Sequence, residues 1–194
     1  MLQRIKTITV YASASSRISS IYFDAAAKLG KLLADLSITC INGGGVNGLM
    51  AAITDAVLEN GGNVCGVIPQ FMRDNGWLHP AIQDVIVTPD LHSRKQTMAD
   101  RADACIALPG GVGTLEELLE IITWKQLGLH NKPIVILNTG GYYDDLLAML
   151  NKANRENFIH SSSVTWQAVN TPEEAINLIF KQIQLDTNFH VYTA

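Results

Sequence analysis

The segment PGGVGTLEE, residues 109–117, combines a glycine-rich loop with two acidic side chains. Glycine-rich loops that open a helix bind phosphate well, because successive backbone N–H groups and the positive end of the helix face the anion. Glycine also lets a ligand approach the backbone closely. The predicted phosphate-binding residues are Gly110, Gly111, Val112, Gly113 and Thr114. Glu116 and Glu117 lie two and three residues after Thr114, so one short segment contains both a candidate anion site and two carboxylates.

A purely structural interpretation of the same segment is also open. Thr114 and Glu117 have the spacing of a capping box, in which the threonine side chain caps a helix and the glutamate reaches back to the threonine backbone. Glycines in front of a helix can also simply make a tight turn. The motif by itself leaves phosphate binding and helix capping as alternatives.

A second glycine-rich loop, NGGGVNGLM at 42–50, lies between a strand candidate and a helix candidate. Gly44 and Gly45 in this loop are further candidates for binding the substrate. Its glycine spacing matches a Walker A loop, but Leu49 stands where that motif requires lysine. The loop at 109–117 does not match the dinucleotide pattern, because Glu116 occupies the position of the third glycine. Dinucleotide cofactors and P-loop hydrolysis are disfavoured, and a mononucleotide-sized phosphate site remains.

Short apolar runs alternate with helix-like stretches along the chain. The strand candidates, rich in Val and Ile, cover residues 8–12, 38–42, 63–69, 84–88, 104–109 and 133–138. The helix candidates cover residues 20–35, 46–60, 91–101, 114–129 and 142–155. A further helix is predicted from 171, where Thr171, Pro172 and Glu174 form a capping box with proline at the first helical position.

This alternation predicts a single α/β domain over residues 1–194. The expected architecture is Rossmann-like, an open and mostly parallel sheet with helices on both faces. In such a sheet both glycine-rich loops emerge at the carboxyl edge, where ligands bind. From about residue 185 the composition is polar, and we expect a tail that is loose or packed on a neighbouring subunit.

Composition excludes several classes of function. Hydrophobic residues make up 47% of the chain and charged residues 16%, and the net charge is -4. The sequence has neither a basic patch nor an apolar run of transmembrane length, so it predicts no nucleic-acid partner and no membrane insertion. The 3 cysteines lie in strand-like runs and the histidines lack ligand spacing, which predicts a cytoplasmic protein without a metal. The low charged fraction fits a subunit of an oligomer.

A longer segment, LHSRKQTMADRADACIALPGGVGTLEELLEIITWKQLGLHNKPIVILNTGGYYDDLL, closely resembles the LONELY GUY family of cytokinin-activating phosphoribohydrolases, long labelled lysine decarboxylases. Two motifs carry the resemblance: an Arg-Lys pair followed by methionine, here Arg94, Lys95 and Met98, and the pattern P-G-G-x-G-T-x-x-E, which ends at Glu117. The resemblance extends over nearly all of residues 5–160. Together the two motifs are highly specific.

The resemblance implies hydrolysis of the N-glycosidic bond of a nucleoside 5′-monophosphate, AMP or an N6-substituted AMP, to a free base and ribose 5-phosphate. It implies a homodimer and no cofactor. Arg94 and Glu117 are then the catalytic pair, although Arg94 could instead form a simple ion pair with Asp90. Lys95 binds phosphate or faces solvent. Met98 shares a helix face with Arg94 and either covers one face of the base or belongs to the core.

The two ends of such a nucleotide call for opposite charges. The phosphate needs the donors of the glycine-rich loop, whereas cleavage of the glycosidic bond builds positive charge on the ribose, which needs a carboxylate. One helical turn rises about 5.4 Å, comparable to the reach from the 5′-phosphate to the anomeric carbon. We therefore expect Glu117 to face the cleft and Glu116 to point away from it.

The chain departs from the family pattern at Asn42, where tyrosine is usual, at Ala51 and at Ser93, and the first loop at 12–16 also differs. These differences bear on which base is accepted. Two other functions are alternatives. A sensor or carrier of the same fold binds a nucleotide without turnover, but it needs no carboxylate beside the ribose. A decarboxylase needs a lysine that bears pyridoxal phosphate, and no lysine has that sequence context.

Overall fold

The computed structural model describes residues 5–159 and 165–191, in which helices surround a seven-stranded sheet. The strands are β1 Thr7–Tyr11, β2 Thr39–Asn42, β3 Val64–Pro69, β4 Asp84–Thr88, β5 Ala104–Ala107, β6 Ile134–Leu137 and β7 Gln167–Val169. The helices are α1 Ser20–Asp35, α2 Gly48–Glu59, α3 Gln70–Asp74, α4 Leu91–Arg101, α5 Val112–Gln126, α6 Asp144–Arg155 and α7 Pro172–Val191. A short 3-10 helix covers Thr139–Gly141.

The strand order is β4-β3-β2-β1-β5-β6-β7, and each of these neighbouring pairs runs parallel. Ile8 of β1 pairs with Cys40 of β2 on one side and with Ala104 of β5 on the other. The chain builds outward from β1 to β4 and then returns to β5 to build the second half. The connections after β1 and β5 therefore leave in opposite directions and open a crevice at the carboxyl ends of these two strands. The predicted open parallel sheet is confirmed.

Two apolar layers cover the two faces of this sheet. Side chains alternate along a strand, so Ile8 and Val10 of β1 enter one layer, whereas Tyr11 of the same strand enters the other. Helices α1, α2 and α7 pack on the first layer, and α4, α5 and α6 pack on the second. The strands are apolar on both sides because helices cover both faces, as their composition predicted.

Three short elements were not predicted, namely α3, β7 and the 3-10 helix. No residue of α3, β7 or the 3-10 helix is fully buried. Sequence periodicity reveals an element through its buried face, so elements this short and exposed leave no clear pattern.

The start of α7 confirms the predicted capping box. The Glu174 N–H donates to Thr171 Oγ1 at 3.3 Å, and the Thr171 N–H donates to Glu174 Oε2 at 3.2 Å. The backbone beyond residue 185 is helical as far as Val191 rather than loose. Among the described helices, none combines the length and the hydropathy needed to cross a bilayer.

The cysteines are confirmed as core residues. Cys40, Cys65 and Cys105 are all buried and free. Burial raises the pKa of Cys40 to about 12 and that of Cys105 to about 11. Reactive cysteines have a lowered pKa and exposure to solvent, so these thiols serve packing rather than chemistry.

Candidate active site

A cavity of about 300 Å³ lies in the crevice between the carboxyl ends of β1 and β5. Its walls come from the loop after β1, from α2, α3 and α4, and from the start of α5. The lining residues are Ala12, Ser13, Ala14, Met50, Met72, Leu91, Arg94, Lys95, Gly111, Gly113, Thr114, Glu116 and Glu117. The Arg-Lys pair and the glycine-rich loop, which are separate in sequence, therefore meet in one cleft.

The start of α5 supplies the anion-binding end of this cleft. Gly111 is the N-cap, and the first helical hydrogen bond runs from the Leu115 N–H to the Gly111 carbonyl at 3.0 Å. The N–H groups of Val112, Gly113 and Thr114 consequently have no acceptor within the helix. A Cβ atom added at Gly111 or Gly113 would meet nothing within 4 Å. Open space and free donors together allow an anion to approach the backbone here.

The helix-capping interpretation of Thr114 and Glu117 is wrong. Helix α5 begins at Val112, so Thr114 lies inside its first turn and not at the cap. Thr114 is buried, and a Cβ at Gly110 would overlap its hydroxyl group. Gly110 is thus needed for this side chain to pack against the loop. The Glu117 carboxylate pairs with Arg94 instead of reaching back along the helix.

The Arg94–Glu117 pair is the centre of the site. Arg94 Nη2 lies 3.2 Å from Glu117 Oε1, and the two side chains are only 11% and 9% exposed. Arg94 Nε also donates to the Val67 carbonyl at 3.1 Å, which fixes the guanidinium from the side of β3. The simple pair with Asp90 does not form, because the Asp90 carboxylate caps α4 by accepting from the Ser93 N–H at 2.7 Å.

The electrostatics of Glu117 are set mainly by its burial. Burial raises the pKa of the carboxyl group, and the positive charge of Arg94 acts in the opposite direction. The neighbouring Glu116 also raises this pKa. A carboxylate in such a poorly solvated place interacts strongly with any positive charge that develops beside it, since little water screens the interaction.

The second glycine-rich loop acts on the site through packing. Gly43 stands where a Cβ would overlap the Arg94 guanidinium, so this glycine makes room for the catalytic candidate. Gly44 and Gly45 do not line the cavity in this structure. The Gly44 N–H donates to Asn42 Oδ1 at 2.8 Å and its carbonyl accepts from the His79 N–H at 2.8 Å, which occupies its backbone groups.

Asn42, where the chain departs from the family pattern, has a structural role. Its side chain is buried, and its Nδ2 donates to Thr54 Oγ1 at 2.9 Å while its Oδ1 accepts from the Gly44 N–H. Asn42 therefore ties the glycine-rich loop to α2. The sequence identified the unusual residue, but a buried amide with partners on both sides could be recognised only from the structure.

The divergent loop at 12–16 reaches the cleft by packing on the start of α2. The N–H groups of Leu49 and Met50 donate to the Ser13 carbonyl at 2.9 and 3.3 Å. Gly48 has φ +65 and lies so close that a Cβ would collide with the carbonyl oxygens of Ser13 and Ser15. Glycine is required at 48 both for this conformation and for the close approach.

The positions of three further side chains relative to the cavity differ in part from the predictions, those of Lys95, Glu116 and Met98. Lys95 lines the cleft, where its Nζ lies 2.7 Å from Glu116 Oε1 and 3.3 Å from Glu120. The prediction that Glu116 points away from the cleft is wrong, since it lines the cavity beside Glu117. Met98 has no exposed surface and packs in the second apolar layer, so in this structure it does not reach the cavity.

Two tyrosines that the sequence did not single out hold the glycine-rich loop. Tyr142 donates its hydroxyl hydrogen to the Gly110 carbonyl at 2.7 Å, and Tyr143 donates to the Leu108 carbonyl at 2.7 Å. They follow β6, the strand next to β5, and therefore approach the loop from its far side. Their place in the segment GYYDDLL was visible, but no local pattern connects them with residues 108–110.

Comparisons with known proteins match most of the chain. The family model described as "Possible lysine decarboxylase" matches residues 50–179. The chain is 42% identical over 172 residues to the cytokinin riboside 5'-monophosphate phosphoribohydrolase LOG2 of Arabidopsis thaliana, a match covering 88% of this chain and 81% of that protein. It is 47% identical over 156 residues to the phosphoribohydrolase LOG7 of Arabidopsis thaliana, covering 80% of this chain and 72% of that protein.

Solved structures share the architecture. A molybdenum cofactor binding protein from Rippkaea orientalis matches with a TM-score of 0.71 and 25% identity, over 93% of this chain and 98% of that one. A molybdenum cofactor carrier protein from Chlamydomonas reinhardtii matches with a TM-score of 0.70 and 22% identity, over 93% of this chain and 99% of that one, which shows a common fold. The match to the family model and the identity with its curated relatives show that the chain belongs to the LONELY GUY family.

Proposed function

We propose that the protein hydrolyses the N-glycosidic bond of a nucleoside 5′-monophosphate and releases the base and ribose 5-phosphate. The observation that carries this proposal is the buried Arg94–Glu117 pair in the same cleft as the free N–H groups of α5. The relatives at 42% and 47% identity are phosphoribohydrolases by name. The substrate and its attacking water supply every atom of the two products.

The proposed substrate lies with its phosphate on the start of α5. The donors are the N–H groups from Gly111 to Thr114, and Glu117 lies about one helical turn further along the same helix. Departure of the base leaves positive charge on the ribose ring, and water then adds to the anomeric carbon. The poorly solvated Glu117 carboxylate stabilises that charge, while Arg94 keeps the carboxylate ionised and in place.

AMP or an N6-substituted AMP is the proposed substrate. Three apolar side chains, those of Met50, Met72 and Leu91, line the same cavity and offer surface to a purine. The curated relatives carry the name of a cytokinin riboside 5'-monophosphate, which supports a substituted adenine as the base. Methionine side chains adapt their shape to an apolar ligand.

A decarboxylase activity fits the cleft poorly. Schiff-base chemistry needs a lysine amine that loses its proton easily, and Lys95 is the lysine in the lining of the cavity. Hydrogen bonding to Glu116 raises the pKa of Lys95, and Glu120 acts in the same direction. The amine therefore stays protonated and paired.

AMP should be cleaved to adenine while adenosine is left intact. Binding energy from the start of α5 is available only to a phosphorylated ligand, and it serves catalysis if it holds the ribose beside Glu117. Product analysis by liquid chromatography, with AMP, N6-substituted AMP and the matching nucleosides as parallel substrates, measures this selectivity. Equal rates of base release from AMP and adenosine would contradict the proposal.

The second candidate function is a carrier that binds its ligand without turnover. It is favoured by the likeness to the molybdenum cofactor binding protein of Rippkaea orientalis, at 25% identity. The buried Glu117 opposes it, because a desolvated carboxylate beside a ribose does not help to hold an anionic ligand. Tight binding of AMP without release of adenine in the same experiment would support the carrier.

We further propose that the protein is a cytoplasmic homodimer. Val112 and Leu119 are exposed on one face of α5, and Leu127 and Leu129 just beyond the helix are each 69% exposed. Trp124 of the same helix is partly buried against the second layer. An exposed apolar surface of this kind favours association of two copies. Three free, buried thiols are compatible with a reducing compartment.

Light scattering at micromolar concentration should give twice the mass of one chain. Replacing Leu127 with aspartate places a charge on the exposed surface and should shift the mass toward that of one chain. A single-chain mass for the unaltered protein would contradict the dimer.

A further inference from the structure

The peptide unit between Gly110 and Gly111 is held from one side only. Its carbonyl oxygen accepts a hydrogen bond from the Tyr142 hydroxyl at 2.7 Å. Gly111 lines the cavity, whereas Tyr142 does not. In a planar trans peptide the C=O and N–H bonds point in opposite directions. The Tyr142 hydroxyl therefore turns the carbonyl of this unit away from the cleft and its N–H toward it.

Among the described residues, the Tyr142 hydroxyl is the hydrogen-bond partner of this unit. Glycine stands on both sides of it, so neither residue has a side chain that disfavours a rotated peptide. A Cβ at Gly111 would meet nothing within 4 Å, whereas Gly110 packs closely against Thr114, so the open space lies on the Gly111 side of the unit. Among the described residues, no hydrogen-bond acceptor is present for the Gly111 N–H. A rotated unit would present a carbonyl oxygen to the phosphate, which repels it.

The geometry points to Tyr142 as a positioning residue: its hydroxyl locks the Gly110–Gly111 peptide so that the Gly111 N–H faces the phosphate, and thereby sets the affinity for the phosphate end of the substrate. This inference rests on the proposed function. The tyrosine is itself well placed for the task. Gly140 and Gly141 have φ values of +63 and +74, which only glycine adopts easily, and they turn the chain toward the loop.

Neighbouring rings keep the Tyr142 side chain in this position. Its ring meets Tyr22 edge-on at a centroid distance of 5.7 Å and Tyr143 at 4.9 Å. Tyr143 bonds to the Leu108 carbonyl, but the next residue is Pro109, which has no N–H. Tyr143 also interacts with the Gly110 N–H, which belongs to the preceding peptide unit, so the effect on the Gly110–Gly111 unit belongs to Tyr142.

The Tyr142→Phe variant tests the inference, with Tyr22→Phe as its matched control. Phenylalanine keeps both ring contacts and removes only the hydroxyl group. Tyr22 belongs to the same ring cluster, and within the described part of the chain its hydroxyl has no hydrogen-bond partner. Calorimetric titration with ribose 5-phosphate gives Kd, steady-state kinetics with AMP give KM and kcat, and a thermal melt gives Tm for each protein.

Tyr142→Phe should raise Kd for ribose 5-phosphate by about five- to tenfold, the effect of losing one oriented hydrogen bond to a charged group. KM for AMP should rise by a similar factor while kcat changes by less than about twofold, since phosphate binding is shared by ground state and transition state. The control should stay within about twofold of the unaltered protein in every measurement, and both variants should keep its Tm.

Unchanged ribose 5-phosphate affinity in Tyr142→Phe overturns the inference, as does an equal loss of affinity in Tyr22→Phe. A fall in kcat with unchanged KM overturns it as well, because an oriented phosphate donor acts on binding. Failure of the proposed function gives a different result from failure of the inference: the unaltered protein would bind ribose 5-phosphate but release no base from AMP. In that case the Kd values of the variants would still decide the role of Tyr142. An unaltered protein that does not bind ribose 5-phosphate also overturns the inference.

Discussion

Replacing Glu117 with glutamine should lower kcat for AMP by at least about a hundredfold while Kd for ribose 5-phosphate stays within about threefold. The exchange preserves the size of the side chain and leaves an oxygen that can accept from Arg94. It removes only the negative charge. That charge matters most when the ribose becomes positive, so the loss falls on the transition state and not on phosphate binding.

The fold should tolerate this exchange. Burial raises the pKa of Glu117, which means that the folded protein already favours the neutral form of this group relative to water. An uncharged amide therefore avoids a desolvation cost, while the Arg94 charge loses its partner but keeps the Val67 carbonyl and the amide oxygen as acceptors, so Tm should fall by less than in Arg94→Ala. A thermal melt, a calorimetric titration and initial-rate kinetics on the same preparation separate these effects.

Glu120→Gln is the matched control for this experiment. Glu120 lies on the same helix and pairs with Lys95, but it does not line the cavity. Glu116 cannot serve, because it does line the cavity. Glu120→Gln should keep kcat within about threefold, since Glu116 still holds Lys95. Normal turnover in Glu117→Gln would show that the carboxylate is not catalytic.

Replacing Arg94 with alanine should abolish measurable turnover and also destabilise the fold. Removing one partner of a buried ion pair leaves the other charge without compensation, which costs about 3–5 kcal/mol. Arg94 is only 11% exposed and holds both Glu117 and the Val67 carbonyl, so both contacts are lost together. Without this positive charge the pKa of Glu117 rises further, and the carboxylate becomes protonated more easily. Chemical denaturation and AMP kinetics measure the two effects.

The double variant Arg94→Ala/Glu117→Gln distinguishes the two causes. If the instability of Arg94→Ala comes from an unpaired carboxylate, neutralising Glu117 in the same chain should recover part of the lost free energy of unfolding. Turnover should remain absent, because both members of the pair are gone. Equal stability of Arg94→Ala and the unaltered protein would contradict a buried, structurally important pair.

The overall architecture could be predicted from local pattern. Runs such as 134–137 are apolar on both sides, and the helices 20–35 and 91–101 have the bounds that periodicity indicated. Such patterns arise because a strand covered on both faces, or a helix with one covered face, needs apolar residues at regular intervals within a short stretch. Elements without a covered face, such as α3, left no comparable trace.

The sequence by itself determined the fold class, and it selected the glycine-rich loop as a candidate anion site and Arg94 and Glu117 as candidate catalytic residues, because each depends on residues that are close in the chain or on a specific motif. Only the tertiary structure decided which partner Glu117 has, since a helix cap and an ion pair to α4 are equally compatible with its local sequence. Only the structure shows that Met98 is buried in the core and that Glu116 lines the cleft. The contacts of Arg94 with the Val67 carbonyl of β3 and of Tyr142 with the Gly110 carbonyl after β5 depend on strand order, which brings distant residues together through packing that no short segment encodes.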